Sequence, residues 1–100
     1  MLLFKVYFDG LMTWTDGQIK GKIIHKLTRK GKFEHSHTAL ENLKGGFPPE
    51  IKGRAKDMSE ELIKEGILHL KKTSYGKQVS INLDKKDKVM EYIDEFLRMD

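Results

Sequence analysis

Two short runs near the C-terminal end, "ILHLKK" and "KQVSINL", alternate apolar and polar side chains and are joined by "TSYG". That alternation predicts a β-hairpin, with Leu68 and Leu70 sharing one face of the first strand and Val79, Ile81 and Leu83 one face of the second. Serine and glycine supply the turn. A further short apolar run, "LLFKVYF" at 2–8, predicts a strand ended by Asp9-Gly10. Nearly everything else carries helical spacing, so the chain is expected to fold as α+β. The hairpin also poses a question of charge. Lys71, Lys72 and Lys77 surround its tip beside Tyr75, with no acid between residues 66 and 83.

The helical segments are marked at their ends. Thr15 and Gln18 form a capping-box pair ahead of Ile19, Ile23, Ile24 and Leu27, and Gly31 supplies a stop. Gly17 and Gly21 weaken this helix, each by about 1 kcal/mol relative to Ala. Packing of the isoleucine stripe must offset that, and Lys20, Lys22, Lys26, Arg29 and Lys30 occupy the polar sides. Residues 32–37, "KFEHSH", read as a short extended piece. Thr38 and Glu41 fit a second capping box, opening a helix of about two turns that Gly45-Gly46 ends. The prolines at 48 and 49 suit the start of a longer helix that runs to Gly66. Ile51, Ala55, Met58 and Leu62 form its buried stripe. A last helix starts near Asp84 and carries Val89, Ile93, Phe96 and Leu97.

One hundred residues are enough for one domain with a modest core, and there are no cysteines for disulfides or thiolate metal sites. The start of the chain is too short and too charged for a membrane span, and it lacks the features of a signal peptide, so a cytoplasmic protein is expected. Charged residues make up 34% of the chain, a Lys- and Glu-rich balance common in proteins of hot-living organisms. The net charge is +4, unevenly spread. Residues 16–56 hold ten Lys or Arg against four acids, residues 57–65 one against four, and residues 66–83 three against none. Two positive blocks brought together by folding would make a surface for a polyanion. A lysine-rich solvated surface is the alternative.

The order helix, short strand, short helix, long helix, β-hairpin resembles the winged-helix DNA-binding domain over residues 16–83. The stretches "HSHTALENL", "GGFPPEIKGRAK" and "TSYGKQVSINL" look like those of small winged-helix proteins of archaea. The resemblance implies a three-helix core with a hairpin wing. The helix at 49–65 would enter the major groove, and the wing at 68–83 would touch the backbone or minor groove. Residues 1–14 and 84–100 would be additions to that core. The long helix departs from an all-basic recognition helix: Asp57, Glu60, Glu61 and Glu65 fill its second half. Only its N-terminal turns are therefore expected to approach DNA.

On that helix Lys52 and Lys56 fall together, away from the apolar stripe, with Arg54 on the other flank. Gly53 lies opposite the stripe, where a missing side chain lets a phosphate or base edge come close. Lys44 can add a phosphate contact in the turn before it. At the wing, Lys71, Lys72 and Lys77 suit phosphates, and Tyr75 offers a flat face or a hydroxyl. Edge-strand protection is the competing account of the lysines, and a ring folded on its own hairpin that of Tyr75.

His35 and His37 share a strand face as two metal ligands would, with Glu34, His25 or His69 to complete a set, but no spacing is diagnostic. The plainer reading gives them a part in the approach to Thr38, and neither metal nor cofactor is expected. Ser36 lies between two histidines that face the opposite side of an extended strand, and no phosphate-cradling loop is present, so no catalysis is expected. The expected partner is double-stranded DNA, with RNA or a protein assembly as the rival. The terminal strand and helix, apolar beyond a small domain's need, point to a homodimer.

Overall fold

The computed structural model describes residues 14–99. Three helices and a three-stranded antiparallel sheet enclose one apolar core. Helix α1 (Asp16–Arg29) opens on the expected capping box: Thr15 Oγ1 accepts the Gln18 N–H, and the Gln18 side chain accepts the Thr15 N–H. It stops at Gly31, whose φ of 69° is left-handed. Ile19, Ile23, Ile24 and Leu27 are all buried. The prolines start a 3-10 turn, Pro49–Ile51, that leads into α2 (Lys52–Lys64). The stripe Ile51, Ala55, Met58 and Leu62 is buried as its spacing required.

Strands β2 (Leu68–Thr73) and β3 (Gly76–Ile81) pair from Leu68 with Ile81 to Thr73 with Gly76, leaving Ser74-Tyr75 as the turn. Thr73 Oγ1 donates to the Gly76 carbonyl and accepts the Tyr75 N–H, which holds the turn from inside. Leu68, Val79 and Ile81 are buried, whereas Leu70 and Leu83 reach solvent.

The segment between the first two helices departs from expectation. Residues 32–37 are not one extended strand. Phe33 makes a single parallel bridge to Ile81, and Glu34 then turns the chain at φ 47°. Four contacts fix that left-handed residue, the first from its N–H to the Ile81 carbonyl at 3.0 Å. Its carboxylate accepts the Leu83 N–H at 2.7 Å and meets His69 Nε2 at 3.1 Å, and its carbonyl accepts from the buried Ser80 hydroxyl. The reversal sends Thr38–Ala39 (β1) antiparallel to β3, giving the sheet order β1-β3-β2. Thr38 is thus a strand residue and caps nothing. The expected two-turn helix is a 3-10 helix, Leu40–Lys44, with no side-chain cap.

Helix α3 (Lys86–Leu97) lies along α1, and Val89 and Ile93 are buried in the shared core. Phe96 is half-buried, its ring 5.6 Å from that of His25. The apolar stripe expected to pair two copies is therefore largely used inside the chain. Met90 and Leu97 remain 61% exposed. The expected strand at 2–8 lies outside the described residues. Among the described residues no helix is long and apolar enough to cross a membrane.

Lys20, placed on a polar side by sequence, is only 6% exposed. Its ammonium pairs with Glu65, just past the end of α2, and at 2.9 Å with Glu61 on α2, and Tyr92 of α3 donates to Glu65 at 2.7 Å. Burial alone would lower the pKa of Lys20, but the bonds to Glu65 and Glu61 outweigh it and raise it. Burial alone would likewise raise Glu65, yet the bonds from Lys20 and Tyr92 hold it below its ordinary 4.5. The folded state thus keeps Glu65 ionised more firmly than the unfolded chain does. Its contribution to stability is present well above pH 4.5 and is lost as pH falls through the depressed value. Glu65→Gln should lower the melting temperature at neutral pH and flatten its decline between about pH 5 and pH 2. A variant that declines with acid as steeply as the parent would remove Glu65 from this role.

Candidate nucleic-acid interface

The hairpin tip, the 3-10 helix Leu40–Lys44 and the middle of α2 enclose a cleft of about 430 Å³. Lys44, Lys56, Tyr75 and Lys77 converge on it from those three elements. Tyr75 is 95% exposed and does not fold back on its hairpin. Glu41 and Glu60 line the same cleft from the two elements that carry Lys44 and Lys56, and offset part of their charge.

Pairing across the hairpin sorts the wing lysines. Lys72 stands directly opposite Lys77, and Lys71 opposite Gln78. Alternation therefore puts Lys72 and Lys77 on one face, the one that Val79 and Ile81 fill further along, and Lys71 on the other. The structure does not group all three. Among the described residues β2 is an edge of the sheet, where Lys71 and Lys72 also discourage pairing with other chains. Lys77 lies on the central strand one residue beyond the β1 pairing, which ends at Ala39 with Gln78. Opposite Lys72 it makes a like-charge pair that weakens the hairpin slightly.

On α2, Lys52 and Lys56 are exposed, as their wheel positions required. Gly53 is exposed too, and a Cβ there would meet nothing within 4 Å. Arg54 is drawn elsewhere: its guanidinium bonds Asp16 at 2.8 Å, at the start of α1. The acids at odds with a polyanion are partly accounted for, because Glu61 and Glu65 pair with Lys20.

In the sequence Lys22, Lys26, Arg29 and Lys30 stand on the polar sides of the first helix, within the positive block 16–56. Folding sets all four around one groove beside Gly45 and Gly46. Their spacing along one helix face was the available signal. Lys22 Nζ donates to the Gly46 carbonyl at 2.8 Å and lies 4.8 Å from the Phe47 ring centroid. Lys26 Nζ donates to the Gly45 carbonyl at 3.0 Å. His35 is exposed, and among the described residues no group of three His, Cys, Asp or Glu is placed to hold a metal ion. Comparison with protein-family models, curated proteins and solved structures gives no match to this chain.

Proposed function

We propose that the chain is a winged-helix protein that binds nucleic acid, with double-stranded DNA as its ligand and a regulatory or architectural role. The element order and the sheet order β1-β3-β2 support that fold reading. The observation that carries the function is the convergence of Lys44, Lys56, Tyr75 and Lys77 on one cleft beside an exposed, uncrowded Gly53. Lysines on three elements neutralise phosphates, and Lys52 and Lys56 bring the first turns of α2 to the major groove. Glu41 and Glu60 repel phosphates from the cleft centre and can accept from an exocyclic base amine. The same reading assigns no catalysis and no cofactor.

The wholly exposed ring of Tyr75 favours one second reading, structured RNA with an unpaired base stacked on it. A panel of duplex DNA, single strands and structured RNA at two salt concentrations separates the two. Duplex should bind most tightly, with affinity falling steeply as salt rises. Retention on structured RNA alone, or on none of the three, would sink the duplex reading.

A further inference from the structure

The α1 groove lies on the other side of the Gly45–Gly46 turn from the cleft and measures about 650 Å³. Lys22, Lys26, Arg29 and Lys30 line it, with Phe96 and Leu97 of α3 at one side. Lys22 and Lys26 hold the turn through its carbonyls, yet each ammonium has three N–H donors and keeps some unused. Arg29 and Lys30 are exposed, and none of the four is ion-paired with an acid among the described residues.

A face meant only for solvation usually mixes its signs, as α3 does with Lys88–Glu91 and Arg98–Asp94. The α1 face does not. Burial, and then the charges of Lys30, Lys22 and Lys52, hold the Lys26 ammonium below its ordinary 10.5. The crowding is relieved by an anion. Lys52 belongs to the α2 turn assigned to the duplex, and Lys44 of the cleft is followed directly by Gly45 of the groove. The two basic surfaces are therefore neighbours across one turn. Lys22, Lys26 and Lys30 step by four residues, a rise of about 6 Å each. That is close to two phosphates of one DNA strand, at about 3.4 Å apiece along the axis.

We propose that the α1 groove is a second phosphate-contact surface for the same duplex, extending the basic track from the wing and α2 onto Lys22, Lys26, Arg29 and Lys30. This rests on the duplex reading above. The footprint is accordingly longer than α2 and the wing alone would cover.

The test uses Arg29→Gln with Lys30→Gln, two exposed side chains without bonds to the fold among the described residues. Their loss should lower the salt slope of duplex binding by about 2 and leave the melting temperature in place. The gain in affinity on lengthening a duplex from about 8 to about 16 base pairs, ~27 to ~54 Å, should also disappear. Arg29→Lys alone should keep the slope. Lys85→Gln with Lys86→Gln, which removes equal charge at the start of α3, should change neither quantity. If the Arg29 and Lys30 variant behaves like that control while Lys52→Gln with Lys56→Gln loses binding, the groove lies outside the contact and this inference falls alone. If the parent protein does not bind duplex, both readings fall. Loss of poly-L-glutamate binding with duplex binding intact would give the groove to an acidic protein segment instead.

Discussion

Lys52→Glu together with Lys56→Glu is expected to weaken duplex DNA binding by at least ~100-fold at 0.1 M salt, beyond detection in most assays. The reason is local. Both side chains are exposed on the first turns of α2, and neither is ion-paired with an acid among the described residues. On the proposed duplex reading, reversal would remove two phosphate contacts and set two carboxylates against the polyanion, one of them in the cleft with Glu60. Stability should stay within about 0.5 kcal/mol, since both positions lie away from the core. The Lys52 change even relieves the crowding on Lys26. Isothermal titration or anisotropy against one duplex, with a melting curve for each protein, decides it. Unchanged affinity in a folded double variant would remove α2 from the interface and with it the major-groove mechanism.

The second large effect concerns the fold, and its sign opposes helix propensity. By propensity Gly21→Ala should stabilise α1 by about 1 kcal/mol. Its position forbids that. A Cβ at Gly21 would overlap the backbone carbonyl of Tyr92 and lie 2.7 Å from the Phe96 Cβ. Backbone cannot step aside as a side-chain end can, so α3 must move off α1, disturbing Val89, Ile93 and the Tyr92–Glu65 bond. Overpacking of this kind costs about 1–3 kcal/mol or more, and at about 4–8 °C per kcal/mol the melting temperature should drop by roughly 10 °C. Gly17→Ala should fall between that variant and the parent, because the atoms nearest its Cβ belong to the carboxylate of Glu95, whose flexible chain can swing at the loss of its bond from Thr15 Oγ1. Gly53→Ala should gain up to about 1 kcal/mol, having open space around it. Melting curves for the three give an order. A Gly21→Ala protein as stable as Gly53→Ala would mean that α1 and α3 do not pack this closely.

The order of the elements was legible because each depends on neighbours within four residues. The Thr15–Gln18 box, the stops at Gly31 and Gly66, the Ile51 to Leu62 stripe and the hairpin pairing all appear where their spacing put them. The exposure of Lys52, Gly53 and Lys56 was legible for the same reason, since a helix sends its polar side outward once its apolar side is known. Thr38 misled because a cap and a short strand draw on the same residue type. The partner that decided between them, Val79, comes from the far side of α2. Lys20 misled more deeply. Its position beside the stripe says nothing of the acids that meet it, one of them 45 residues away, and only the packing of α1 on α2 supplies them. The same packing took Arg54 to Asp16, paired Glu61 with Lys20, and gathered Lys22, Lys26, Arg29 and Lys30 around the turn that follows Lys44. Periodicity encodes which side of each element is apolar. Which charge faces which depends on the angle and distance at which those apolar sides meet, and that was decided only in the folded molecule.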